Sequence, residues 1–301
     1  MRRRISGVLL LDKSIGISSN HALQAVKRLY RAEKAGHAGT LDPLASGLLP
    51  VFLGDATRFC GYLLDSDKRY RADIRLGSTT RTGDTEGEVL ERRPVDVSAT
   101  QLARVLEGFL GSQSQIPPMY SALKRNGQPL YVLARRGETV ERAPRAIKIR
   151  KLELLEFEVN RIVLEVACSK GTYIRTLAED IGAALGCGAH LGGLRRTATG
   201  AFELSQAVTL DALQALTEAE RDTLLRPSDA ILGGLPKAEL NEADAARFCH
   251  GQILPLHGGK SGVCRVYAPP ARFLGLGEIA DDGSLIPKRL LGEAGKASPT
   301  G

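Results

Sequence analysis

Residues 36–50 read GHAGTLDPLASGLLP, and both the architecture and the chemistry of the chain turn on how that stretch is taken. Gly36, Gly39 and Gly47 let the backbone enter the left-handed region or run close against a neighbour. Pro43 pushes Asp42 out of the α region and removes one amide donor. Taken alone, Asp-Pro initiates a turn. The stretch also sets His37 and Asp42 on one glycine-rich loop, so Asp42 reads either as a turn residue or as a reacting group.

Working outward, residues 8–11 are a short apolar run that predicts a buried strand. Ser18, Ser19 or Asn20 then caps a helix with Ala22, Val26, Leu29 and Tyr30 on one face. After the glycine-rich loop, residues 48–53 form an apolar segment that ends at the turn Gly54-Asp55. Residues 69–76 alternate, with Tyr70, Ala72, Ile74 and Leu76 on one face and Arg69, Arg71, Asp73 and Arg75 on the other. Alternation alone makes Tyr70 a core aromatic. A loop over residues 77–87 carries Asp84, and Ser98 with Gln101 signals a helix through Phe109. Residues 147–159 and 162–168 predict two strands around an Asn160-Arg161 turn. A helix follows with Ile174, Leu177, Ala178, Ile181 and Leu185 at helical spacing and Gly186 just past its end. Tyr173 and Arg175 fall in its first turn, where a cation opposes the helix dipole unless a carboxylate from elsewhere holds it.

The net charge of +7 favours an anionic partner, most simply nucleic acid. Residues 112–137 mix Tyr120, Lys124, Arg125, Tyr131, Arg135 and Arg136 with Gly and Pro, and Arg142, Arg145, Lys148, Arg150 and Lys151 follow. That composition suits a solvated basic face and an RNA-contacting arm equally. Five scattered cysteines without a C-x-x-C pair argue against a disulfide framework and for a reducing cytosol. Cys249, His250, His257 and Cys264 cluster in sequence but match no usual zinc spacing, so no metal is expected. Arg2-Arg3-Arg4 precedes an apolar run too short for a signal peptide or a membrane span, so the expected location is cytoplasmic, with no membrane contact. Gly186-Cys187-Gly188 has Leu191 in place of a third glycine and follows a helix, and no phosphate loop occurs. A nucleotide-binding metabolic enzyme is therefore disfavoured. Gly233-Gly234-Leu235-Pro236 reads as a linker to a small β-rich tail with a helix capped by Asn241 and a hairpin turn at Asp281-Asp282-Gly283.

Taken together, residues 36–50, Asp12-Lys13 with Gly16 and Ser18-Ser19, residues 67–71 (DKRYR), residues 80–84 (TRTGD), residues 115–124 (QIPPMYSALK), residues 169–176 (SKGTYIRT) and Leu194-Arg195-Arg196 carry a resemblance. In that order they resemble the TruB family of bacterial tRNA pseudouridine synthases, which act on the T loop of tRNA at the conventional position 55. The long G-H-x-G-x-L-D-P motif is its most specific part.

The resemblance implies an α+β fold. A mixed, largely antiparallel sheet would form a catalytic domain over residues 1–230, with a basic RNA-binding insertion at about 124–151. A small β-rich PUA-like domain would occupy residues 235–295. It implies Asp42 as the carboxylate at the sugar, acting as a nucleophile at C1′ or as a base toward the 2′ proton. Arg175 would be its counter-ion, Tyr70 would stack on the flipped base, and Tyr173 would pack in the pocket and take the C5 proton. Leu194 would form an apolar wall, His37 would occupy the space vacated by the displaced nucleotide or contact the backbone, and Asp84 and Lys13 would complete the substrate site. Lys124, Arg135 and Arg136 would contact RNA. The isomerisation gains and loses no atoms, so it requires no cofactor. The tRNA T stem-loop would be the partner of a monomer with no obligate protein partner. Two alternatives stay open: an RNA-guided synthase of the dyskerin type, which lacks the long insertion, and an RNA-binding or tRNA-folding protein with incidental catalysis.

Overall fold

The computed structural model describes residues 1–256 and 260–292. Two strands carry most of the early core. β1 (Gly7–Lys13) and β3 (Ala45–Leu53) pair antiparallel, and β3 is buried along its whole length. Period-two alternation sends Leu9, Leu11, Leu49, Val51 and Leu53 to one face, against Ala22, Leu23 and Val26 of α1 (Ser19–Leu29). Val8, Leu10, Leu48 and Phe52 point the other way, onto Ala56, Leu63 and Phe202. An apolar run without polar alternation is what a strand covered on both faces requires.

β2 (Ala35–His37) lies beside the far end of β3. Pro50 inside β3 costs no ladder bond. Its carbonyl accepts from Ala38 N at 3.2 Å, so its missing donor faces the gap between two partner strands. α2 (Cys60–Leu64) leads into β4 (Lys68–Leu76), and β5 (Ser78–Thr80) with β6 (Val89–Arg92) forms a separate ribbon. Next come α3 (Ala99–Gly108), capped by Ser98, and β7 (Gly111–Gln115). A two-residue hairpin of β8 (Lys124–Arg125) and β9 (Gln128–Pro129) opens directly into α4 (Leu130–Arg135). β10 (Arg145–Glu158) and β11 (Arg161–Cys168) turn at Asn160, α5 (Ile174–Ala184) follows, and β12 (Ala189–Thr199) re-enters the sheet. β13 (Phe202–Glu203), β14 (Val208–Thr209), α6 (Leu210–Ala215) and α7 (Glu218–Thr223) complete this part.

The main sheet has ten strands along the path β14-β1-β3-β12-β4-β11-β10-β7, with β2 and β13 attached. Only β1 with β14 and β3 with β12 run parallel along it, so it is mixed and largely antiparallel. On the inner face of β4, β10 and β11, Ala72, Ile74, Ile149, Leu164 and Val166 pack beneath α3 and α5. The outer face is charged: Arg161 bridges Asp73 at 2.7 Å and Glu156 at 2.8 Å. Residues 124–151 therefore divide. Residues 124–136 stand off the sheet as the hairpin and α4, whereas Arg145, Lys148, Arg150 and Lys151 belong to β10, with Ile147 and Ile149 turned inward.

The β-rich tail follows. β15 (Lys237–Glu239), β16 (Leu254–Pro255), β17 (Gly262–Ala268), β18 (Arg272–Ile279) and β19 (Ser284–Leu290) form a five-stranded sheet, with α8 (Glu242–Cys249), capped by Asn241, packed on it. Its own core contains Phe248, Val266, Leu274 and Leu285, and Phe59, Leu232 and Leu276 join it to the larger sheet. Of the cysteine and histidine cluster, Cys264 is buried in this core, His250 bonds Ala246 O through Nδ1 at 2.7 Å, and His257 lies outside the described residues. Among the described residues, no group of three or more His, Cys, Asp or Glu side chains is placed to hold a metal. No described helix is long and apolar enough to cross a membrane.

Candidate active site

The Asp42 loop joins β2 to β3 and is anchored on both sides of the aspartate. Leu41 and Leu44 are buried. Ser19, at the start of α1, accepts from Leu41 N at 2.8 Å and donates to Leu41 O at 2.9 Å. Gly16 N donates to Pro43 O at 2.9 Å. Asp42 O accepts from Ala45 N at 3.0 Å, so the residue does sit in a turn, as Asp-Pro predicts. Its carboxylate is nevertheless 44% exposed and looks into a cavity of about 620 Å³. Two buried leucines thus hold an ionisable group at a cavity wall.

Arg175 enters from α5, as its second residue. Its guanidinium lies 2.9 Å from Asp42 Oδ2 and 3.6 Å from Asp84 Oδ2. It also donates to Thr82 O at 3.2 Å and to Tyr120 O at 2.6 Å. These partners explain a cation at the unfavourable end of a helix. Asp84 is buried, and its other oxygen accepts from the Thr82 hydroxyl and from Glu86 N at 3.1 Å. Arg175 therefore ties together the Asp42 loop, the loop after β5, and the segment before the basic hairpin.

Tyr173 is the N-cap of α5, one position outside the helix, with extended backbone. The Gln115 side chain clamps it: Tyr173 N donates to Gln115 Oε1 at 2.8 Å, and Gln115 Nε2 donates to Tyr173 O at 3.1 Å. One amide thus reproduces the two bonds of a neighbouring strand. Burial pushes the Tyr173 hydroxyl above its ordinary range, and the Ser121 and Arg145 side chains partly offset this. Tyr70 on β4 and Leu194 on β12 are half-buried, pack against the core beneath α5, and line the same cavity as Asp42, Tyr173 and Arg175. Burial likewise pushes the Tyr70 hydroxyl up.

The structure does not bring every predicted residue to the cavity. His37 ends β2, two residues short of the cavity-lining Gly39, and its buried Nδ1 has no hydrogen-bond partner among the described residues. Burial, then the Arg196 charge, holds His37 below the ordinary imidazole range. Lys13 is fully buried under the loop. Its ammonium donates to Ser14 O at 2.9 Å and Ile17 O at 2.7 Å, and burial pulls it down to about 8 although Asp42 opposes the shift. Lys124, Arg135 and Arg136 are exposed on the hairpin and α4, and Arg135 stacks over the Tyr131 ring at 5.5 Å. The cavity meets this segment only through residues 121–123.

Sequence reasoning missed Gln115, Lys68 and Arg196. Lys68 lines the cavity and spends its ammonium on carbonyls at and just past the end of α2, bonding Leu64 O and Ser66 O, each at 2.6 Å. Arg196 is 1% exposed and lines the cavity floor. The available signal was its position two residues after Leu194 on one strand, which places both on one face.

Sequence comparison agrees with this geometry. Residues 27–174 match the N-terminal domain of the TruB family pseudouridylate synthases, residues 175–233 match a tRNA pseudouridylate synthase B C-terminal domain, and residues 236–291 match a pseudouridine synthase II TruB C-terminal domain. A tRNA pseudouridine synthase B from Methylobacillus flagellatus is 52% identical over 297 residues, covering 98% of each chain. Another from Stutzerimonas stutzeri is 54% identical over 297 residues, covering 97% of each. The fold also matches a chain in the crystal structure of the archaeal box H/ACA sRNP Nop10-Cbf5 complex, with a TM-score of 0.72 and 26% identity over 96% of this chain and 88% of that one. Identity above half along nearly the whole length leaves one conclusion: the chain belongs to the TruB family of pseudouridylate synthases.

Proposed function

We propose that this protein isomerises uridine to pseudouridine in the T loop of tRNA, at the conventional position 55. The observation that carries the reading is the half-exposed Asp42 carboxylate held 2.9 Å from the buried Arg175 guanidinium, on the wall of a cavity large enough for a nucleotide. Relatives more than half identical over nearly all of the chain bear the name tRNA pseudouridine synthase B.

The reaction breaks the N1–C1′ bond, turns the uracil and rejoins it through C5. Asp42 is the carboxylate that acts at the sugar, and Arg175 is its counter-ion, with Asp84 behind it. A base stacked in a folded loop is out of reach of these groups, so the nucleotide is flipped into the cavity. There Tyr70 supplies the stacking face and Leu194 an apolar wall. Tyr173, on the wall of the same cavity, is the group assigned to the C5 proton. His37 and Lys13 act from beneath, His37 in the space the displaced nucleotide leaves and Lys13 by holding the turn between β1 and α1. Lys124, Arg135 and Arg136 meet the RNA backbone, where phosphate contacts position and do not specify.

Residues 1–230 act as the catalytic unit, and residues 235–295, of which 257–259 and 293–295 lie outside the described part, act as a PUA-like unit that lengthens the RNA footprint. The protein works as a cytoplasmic monomer with no cofactor and no protein partner. An RNA-guided mode is disfavoured by the basic hairpin and α4 at residues 124–136, which supply RNA contacts on the chain itself. The test is to treat tRNA transcripts with purified protein, add no cofactor, and map pseudouridine. Conversion at position 55 that is lost in Asp42→Asn is expected. Equal conversion by wild type and Asp42→Asn would overturn the reading.

A further inference from the structure

We infer that Arg196 is a positioning residue: its guanidinium joins the two ends of the Asp42 loop to each other beside Tyr70, fixing the carboxylate relative to the stacked base. This rests on the reading of the cavity given above. Arg196 heads the fully buried side chains by size. Nε donates to Leu48 O at 2.7 Å, and Nη2 donates to Gly39 O at 3.0 Å. Those carbonyls flank Asp42 on either side, so one rigid plane closes the loop as a staple closes a ring. The Arg196 charge also lies close enough to the Tyr70 hydroxyl to oppose the upward push of burial on it.

Strand register explains how a single residue reaches both carbonyls and lies beside Tyr70. β12 lies between β3 and β4, and Arg196 pairs with Gly47 on one side and Tyr70 on the other. The approach to β3 is so close that a Cβ on Gly47, which has φ +100°, would fall 2.3 Å from Arg196 O. Arginine is the side chain that suits the task. Its donors are fixed in one plane and spread wide enough for separate acceptors, whereas lysine is a point charge on a flexible stem.

A purely structural tie is a poor account of this residue. The Gly39 and Leu48 carbonyls that Arg196 uses are neutral, and a cation buried on neutral acceptors costs more than an apolar side chain of similar volume. The arrangement makes sense if orientation of Asp42 and Tyr70 is what the charge and its fork secure.

The experiment measures kcat and KM on a tRNA transcript together with hydrogen exchange across residues 38–48, in Arg196→Lys, Tyr70→Phe and the double variant. Arg196→Lys should lose about 10²-fold in kcat, the scale of a misplacement of about 1 Å at a reacting group. KM should stay near wild type, and the loop amides should exchange faster while those of β1 do not. Tyr70→Phe keeps the ring but removes the hydroxyl that the Arg196 charge faces, so it should lower kcat without changing KM. The double variant should fall no lower than Arg196→Lys alone. If Arg196→Lys fails to fold, Tyr70→Phe decides. Wild-type kcat in Tyr70→Phe, or in a folded Arg196→Lys, would overturn the inference, as would additive losses in the double variant. Absence of pseudouridine with the wild-type protein would instead remove the functional reading itself.

Discussion

Arg175 is almost fully buried while the Asp42 carboxylate it contacts at 2.9 Å is nearly half exposed. The pair is therefore lopsided, and the buried charge needs a second partner. Asp84, 4% exposed in its side chain and 3.6 Å away, is that partner. Removing Arg175 strands a buried carboxylate at Asp84, whereas Asp42 can hydrate. Arg175→Met should accordingly destabilise the protein by about 3–5 kcal/mol, the scale of breaking a buried pair from one side. Adding Asp84→Asn should return part of that loss, because it removes the stranded charge. Urea unfolding of the single and double variants checks this, and equal stability of the two would show that Asp84 does not depend on Arg175.

The same asymmetry predicts the catalytic split. Asp84→Asn leaves Asp42 and the cavity wall in place but loosens Arg175, so it should lower kcat while tRNA binding persists. Asp42→Asn should abolish turnover with binding and melting temperature close to wild type, since the side chain is largely outside the core. Filter binding and single-turnover assays on the same preparations separate the two effects.

Gln115 offers a test of how Tyr173 is held. Replacing it with leucine leaves a backbone N–H and a C=O without partners at the start of α5. Two bonds of ordinary net strength make this a loss of about 2 kcal/mol, measurable in thermal or urea unfolding. Tyr173 should also turn more freely, so turnover should fall further than stability accounts for. Gln115→Glu, which keeps the acceptor but loses the donor, should lie between the two.

Much of this was legible in the sequence because local pattern and tertiary demand agree. The apolar runs of β1 and β3, the alternation along β4, and the helical spacing of α5 up to Gly186 each follow a single local pattern. Arg196 and Gln115 were not legible as site residues. A buried arginine contradicts the usual exposure of its type, and Gln115 ends a polar run that gives no hint of facing inward. The extent of the basic arm was legible only in part. Charges on the solvent face of β10 look, in composition, the same as charges on a free arm, and only the inward Ile147 and Ile149 separate them. The pairing of Asp84 with Arg175 joins residues 91 positions apart, beyond the reach of any local pattern.

Lys13 gives a pH signature. Burial lowers its folded value to about 8 from an unfolded 10.5. Between those values the unfolded chain binds the proton and the folded one does not, so stability from this group rises with pH across that window. Below pH 8 both states are charged and the desolvation cost is fully present. Lys13→Met lacks the titration. The stability of wild type relative to Lys13→Met should therefore increase from pH 8 to 10 and stay flat from pH 6 to 7.5. A flat difference throughout would mean that the ammonium is solvated.

The basic hairpin and α4 can be tested through salt. Lys124, Arg135 and Arg136 are exposed, and neither Lys124 nor Arg136 is needed to hold the core. If each neutralises one RNA phosphate, changing all three to glutamine should reduce the slope of log K against log salt by about 2, at roughly 0.7 per contact on unpaired strands. Arg145, Lys148 and Lys151 on β10 serve as the comparison, since they carry like charge in the same stretch of sequence but sit on a strand whose Lys151 is already paired with Glu153 and with Glu165 at 2.8 Å. Their replacement should change the slope less. A larger effect from the β10 residues would move the RNA path off the hairpin and α4 and onto the sheet.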